Sequence, residues 1–175
     1  MKVNKFLLLI FILVYAFIIG GCSNNQNTNI NNVHVKNEKE NNKRLSIQEI
    51  RLLFNFKKED ILNKLGKQYS IIPMGAEGTD NGYKFEKLGI ALVFEEDNDL
   101  GYISCDDTFE LLGVRAGMQF EKIKEKLGKS QIKEIWFESP GNKAYELTYY
   151  KEGIKLSFIS FEEDGKESML TIYKQ

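Results

Sequence analysis

Glu59-Asp60-Ile61-Leu62-Asn63-Lys64-Leu65-Gly66-Lys67 returns in divergent form as Glu121-Lys122-Ile123-Lys124-Glu125-Lys126-Leu127-Gly128-Lys129. A second match follows in the same order. Phe85-Glu86-Lys87-Leu88-Gly89-Ile90-Ala91-Leu92-Val93-Phe94 answers Tyr149-Tyr150-Lys151-Glu152-Gly153-Ile154-Lys155-Leu156-Ser157-Phe158. Glu95-Glu96-Asp97-Asn98 and Glu162-Glu163-Asp164-Gly165 then each supply a turn before a last strand. Blocks that recur in a fixed order mark an internal repeat, which has to be settled before any motif is read. The expectation is a first unit over residues 45–106 and a second over 107–175.

Each unit reads as one helix and four strands. Phe120, Ile123 and Leu127 fall on one helical stripe, with Glu121, Lys122, Glu125 and Lys126 elsewhere, so this helix lies on a core. Gly66 and Gly128 stand where a left-handed helix stop is wanted. Alternation predicts strands over Gln68–Ile72, Tyr83–Lys87, Gly89–Glu95 and Leu100–Cys105, then Ile132–Phe137, Lys143–Tyr150, Ile154–Phe161 and Ser168–Tyr173. Ser46 with Glu49 forms a capping-box pattern and predicts a helix from Ile47 to Phe54. Thr108–Leu112 is expected to be its counterpart, capped from Asp106-Asp107. The fold class expected is α+β: two tandem repeats, each a helical segment packed on a four-stranded antiparallel sheet.

Upstream, Phe6 to Ile19 is a run of 14 apolar residues behind Lys2 and Lys5, ending in Ile19-Gly20-Gly21-Cys22. A membrane-spanning helix needs about 20 apolar residues, whereas the core of a secretory signal runs about 7–15. Small residues before a cysteine fit the cleavage site of a lipoprotein signal. Residues 1–21 are therefore expected to be removed, leaving Cys22 as a lipidated N-terminus. Two or three acyl chains anchor stably, at about 0.8 kcal/mol per buried methylene. Residues 22–44 form an Asn-rich tether with too little apolar surface to offset its ordering entropy. As a flexible coil it spans about 25 Å. The expected location is the extracytoplasmic face of the cell membrane.

Composition argues against several functions. Losing Lys2 and Lys5 with the signal takes the formal charge from −1 to −3, so no basic footprint for nucleic acid is present. The only histidine, His34, lies in the tether, so no Ser-His or Cys-His pair can form in residues 45–175. No Cys/His cluster offers a metal site, and no Gly-rich phosphate loop precedes a helix. Asp97-Asn98-Asp99 with Gly101 fails as a calcium loop. Its glycine comes one place early, and Thr108 stands where the bidentate Glu belongs. With Cys22 lipidated, Cys105 is the one remaining thiol; it ends a strand and is expected to be buried. No cofactor, no metal and no catalytic residue is expected.

A helix covers one face of a sheet, and the other face is solvated or used. If Ile154, Leu156 and Phe158 point inward, Tyr150 points outward, with Tyr173 and Tyr102; Trp136 can be placed on either face. Tyr and Trp favour binding hot spots and are also ordinary strand formers. These four residues are the candidate partner-binding positions.

Gly117-Met118-Gln119-Phe120-Glu121-Lys122-Ile123-Lys124-Glu125-Lys126-Leu127-Gly128-Lys129 resembles a recurrent bacterial motif. Its common form is Gly-Met-Ser/Thr, three residues, Val/Ile, three residues, Leu-Gly-x-Pro. The motif occurs in the SmpA/OmlA-type outer-membrane lipoproteins. Tandem copies make up the β-lactamase inhibitory protein, and uncharacterised lipoproteins of Gram-positive bacteria carry similar pairs. Gln68 and Ser130 stand in place of the proline, and Asn55-Phe56 in place of Gly-Met. The inhibitory protein's disulfides have no counterpart here. The resemblance implies a non-catalytic protein whose sheet or loops contact another envelope protein. A sensor or carrier of a small envelope ligand, and a hydrolase built on two carboxylates, are the alternatives.

Overall fold

The computed structural model describes residues 44–75, 78, 80–137 and 143–175. The signal segment, Cys22, His34 and the tether up to residue 43 lie outside the described residues. The elements are α1 (Ile47–Leu53), α2 (Lys58–Leu65), β1 (Ser70–Met74), β2 (Asp80–Phe85), a 3-10 turn (Glu86–Leu88), β3 (Ile90–Phe94) and β4 (Leu100–Cys105). After a long connection come α3 (Phe120–Leu127), β5 (Ile132–Trp136), β6 (Lys143–Lys151), β7 (Ile154–Ser160) and β8 (Met169–Lys174). Among the described residues no helix is long and apolar enough to cross a membrane.

The expected pair of separate four-stranded sheets is overturned. Tyr102–Cys105 of β4 pairs antiparallel with Leu170–Tyr173 of β8. The eight strands are thereby one sheet in the order β1-β2-β3-β4-β8-β7-β6-β5, accompanied by three short helices. The physical reason is the cost of an open edge. Two separate sheets would leave β4 and β8 each with a row of unpaired N–H and C=O groups beside buried Ile103, Leu170 and Ile172. Joining them satisfies both edges and merges the apolar faces.

One face of this sheet carries the core. Ile90, Leu92, Ile103, Leu170, Ile172, Ile154, Leu156, Phe158 and Leu147 cluster with Ile50 and Leu53 of α1, Ile61 of α2, and Phe120 and Ile123 of α3. The α1 start is the expected capping box: Ser46 Oγ accepts from Glu49 N at 3.3 Å, and Glu49 Oε2 accepts from Ser46 N at 2.9 Å. Thr108–Leu112 is not a helix. Phe109, Leu111, Val114 and Ala116 are all buried, a spacing no single helical stripe provides. The segment turns instead, with Leu112 and Gly113 at φ 55° and 78° and Leu111 bridged to Val114. Asp106 Oδ1 caps that turn through Thr108 N at 2.9 Å. Gly66 and Gly128 do end α2 and α3 at positive φ, 100° and 96°, but with ψ 167° and 177°, extended rather than left-handed helical.

A β-bulge decides which side chains of β4 leave the core. Val93 pairs with Tyr102 but Phe94 pairs with Leu100, so Gly101 is the extra residue. Leu100 can thus stay in the core while Tyr102, two positions on, projects from the opposite face. Cys105 is buried on the core side, and that burial, with Asp106 beside it, pushes its thiol well above the usual range and out of reach of reagents.

Candidate functional site

Cross-strand register defines the sheet face that no helix covers among the described residues. Tyr150 of β6 pairs with Lys155 of β7, Lys155 with Tyr173 of β8, and Tyr173 with Tyr102 of β4. The row continues through Val93, Gly82 and Ile72 on β3, β2 and β1. The next row toward the other end of the strands is Thr148, Ser157, Thr171, Ser104, Ala91, Lys84 and Ser70. A third holds Glu146, Ile159 and Met169. Ala91, Val93 and Ala144 are buried here although they do not belong to the core cluster.

The centre of this face is a connected set of side chains. Tyr102 and Tyr173 rings lie 5.9 Å apart at 40°. Lys155 Nζ stands 5.3 Å from the Tyr173 ring centroid and 3.2 Å from Glu146 Oε1. Ser157 Oγ donates to the same carboxylate oxygen at 2.6 Å. Burial pushes the Glu146 carboxyl up, but the hydrogen bonds from Ser157 and Lys155 outweigh it and hold the group below its ordinary 4.5. Burial likewise raises the Tyr102 hydroxyl. Tyr150, 60 % exposed, flanks the set. At the far end of the same face Phe137 and Phe161 meet at 5.9 Å, both exposed, with exposed Met169 nearby in register.

Three of the four sequence candidates, Tyr102, Tyr150 and Tyr173, thus share one row. Trp136 does not join them. It follows Ile132 and Glu134 in alternation and pairs with Lys143, which places it on the helix side beyond the reach of the helices, 66 % exposed at the β5 edge. Lys155, Glu146 and Ser157 were not singled out by sequence. The outward positions of Ile154–Ser160 name Lys155 and Ser157 directly, but a search confined to aromatics passes over them.

An ionised carboxylate with a serine and a lysine on it is poorly placed to give up or collect a proton near neutral pH. Among the described residues no group of three or more His, Cys, Asp or Glu side chains is arranged for a metal ion. Since the folded Glu146 carboxyl titrates below its unfolded counterpart, its contribution is full above 4.5 and is lost as pH falls through the folded value. Urea unfolding over a pH series is expected to show a shallower acid limb in Glu146→Gln than in the wild type; parallel acid limbs would remove the assignment.

No protein-family model matches the chain, and no curated protein matches it. Among solved structures the chain is similar to a DUF4309 family protein, YjgB, from Bacillus subtilis. The identity is 16 %, the match covers 68 % of this chain and 78 % of that one, and the TM-score is 0.46. A likeness of that size carries no argument about function.

Proposed function

We propose that this chain is a lipid-anchored extracytoplasmic protein that holds a non-catalytic, protein-binding sheet face at the cell membrane. Anchorage rests on the Lys2 to Cys22 signal pattern, with Cys22 carrying the lipid. Binding rests on one observation: the sheet face opposite the helices, uncovered among the described residues, bears the Tyr150–Lys155–Tyr173–Tyr102 row. Tyrosines offer large, stiff, amphipathic surface at low entropic cost, and a lysine held over a ring is already partly ordered. From this row to the Phe137–Phe161 end the face runs about 20 Å, and from β6 to β1 about 29 Å, at roughly 3.3 Å per residue and 4.8 Å per strand. That is the scale of a standard interface, about 800 Å² per partner. The hydrolase reading draws no comparable support, since Glu146 is engaged by Ser157 and Lys155.

The test is site-specific photo-crosslinking in cells expressing the full-length chain. A photoreactive residue at Tyr150 is expected to give a discrete adduct that weakens when Tyr173→Ala is added. The same group at Lys67, an exposed position between α2 and β1, is expected to give none. Palmitate incorporation lost in Cys22→Ala checks the anchor separately. Adducts from Lys67 equal to those from Tyr150, or none from Tyr150, would overturn the binding reading.

A further inference from the structure

The second surface of interest lies away from the sheet face, beside α3. An open cleft of about 640 Å³ is lined by four cationic side chains, Arg115, Lys122, Lys126 and Lys166, and by one carboxylate, Glu110. Glu110 Oε1 is already met by Arg44 Nη1 at 3.4 Å. Arg115 Nη1 donates to the Asp107 carbonyl at 3.1 Å, which fixes its direction but leaves its charge uncompensated. Among the described residues, Lys122, Lys126 and Lys166 make no ion pair. Asp164, in the same loop as Lys166, has its Oδ1 engaged by the Lys166 backbone amide at 3.0 Å. Glu121 is taken by Lys124 at 2.8 Å.

The cleft is also shaped. The Lys126 stem lies across Gly113, whose missing Cβ would stand 3.3 Å from Lys126 Cδ. The side chain, though exposed, runs alongside the 111–114 turn. Four like charges gathered in one cleft repel, and in a chain of net negative charge they are not there for want of acids. The corresponding cleft beside α2 shows the ordinary solution. Lys57 meets Asp99 at 2.9 Å and Asp97 at 4.0 Å, and Glu59 and Asp60 line the same hollow.

We propose that the α3 cleft is a binding site for a phosphate-bearing anion. A phosphate presents several charged oxygens tetrahedrally, so it can engage three or four cations at once where a carboxylate satisfies one or two. The anion is the counter-charge that Lys122, Lys126 and Lys166 otherwise lack. Its source is a free phosphate or phosphomonoester, or the phosphodiester headgroup of an anionic lipid; the chemistry recognised is the same. This site is independent of the Tyr150–Tyr102 row.

The test uses the full-length chain, isotope-labelled and reconstituted in phosphatidylcholine nanodiscs. Its amide resonances are followed on adding inorganic phosphate or glycerol 3-phosphate, against sodium chloride of equal ionic strength. A parallel sample uses phosphatidylglycerol nanodiscs. Saturable shifts are expected at Gly113 and Gly117, which line the cleft. In Lys122→Gln/Lys126→Gln the affinity is expected to fall about tenfold or more, while Lys133→Gln on β5 leaves it unchanged. Saturation by the soluble anions identifies a free phosphate ligand, and a response to phosphatidylglycerol alone identifies a headgroup; either upholds the site. Shifts reproduced by sodium chloride, an unchanged response in the double variant, or no response to any of the three phosphates would overturn it.

Discussion

Successive amides of β8, from Leu170 through Tyr173, are expected to exchange with solvent deuterium slowly and together. Protection should be about four orders of magnitude over an unstructured chain, as befits the centre of a sheet in a protein of ordinary stability. The argument is geometric. In an antiparallel strand consecutive N–H groups point to opposite neighbours. Leu170–Tyr173 has β4 on one side and β7 on the other, in continuous register. Every one of these amides therefore has a carbonyl to donate to. Were β8 an edge, every second amide would face water and exchange far faster. β1 and β5, the true edges, provide the internal control, and on Ile132–Trp136 an alternating fast–slow pattern is expected. Residue-resolved exchange that finds the alternating pattern on β8 would break the single-sheet description.

That seam is also where reading the sequence stopped short. Alternation such as Ile154, Leu156, Phe158 is local, and it correctly turns those side chains to the core. Leu100–Cys105 is a strand over the residues expected, although the bulge at Gly101 interrupts its alternation. Which edge a strand offers to which neighbour is a long-range matter: Cys105 meets Leu170, and no property of either segment alone announces it. The recurrence of Glu59–Lys67 at Glu121–Lys129 invited each four-strand set to be closed on itself. Pairing β4 with β8 instead removes two edges at once. The loss at Thr108–Leu112 has a different origin. Asp106 and Thr108 supply a capping signal, but a cap also starts a turn, and Gly113 at positive φ brings the chain back before a helix can form.

For the site, the aromatics were visible and their electrostatic frame was not. Tyr150, Tyr102 and Tyr173 lie outward by parity, yet their alignment in one row depends on the register of four strands and on the bulge at Gly101. Glu146 and Lys155 stand on adjacent strands, and their contact at 3.2 Å follows from that same register. The basic cleft draws Arg115, Lys122, Lys126 and Lys166 from a loop, a helix and a second loop. In sequence Lys122 and Lys126 read simply as the solvated face of α3, because the loops that enclose them cannot be placed by periodicity.

Gly165→Ala is expected to cost about 3 kcal/mol, a sizeable part of the 5–15 kcal/mol that holds a typical domain folded. Two penalties add. Gly165 sits at φ 77°, where a Cβ clashes with its own backbone by about 1 kcal/mol. The added methyl group would also be driven into the Phe120 ring and its backbone nitrogen. Neither can retreat easily. Phe120 is fully buried in the core, and its N–H donates to the Asp164 carbonyl at 3.0 Å, tying the first turn of α3 to this loop. Overpacking of that kind costs about 1–3 kcal/mol. Gly117→Ala isolates the backbone part: it has a similar φ of 78°, and nothing lies within 4 Å of the added Cβ, so a loss of only about 1 kcal/mol is expected. Urea unfolding midpoints of the two variants against wild type separate the penalties. Equal losses would mean that Phe120 yields without cost, and that the loop before β8 is not locked to α3 as its packing indicates.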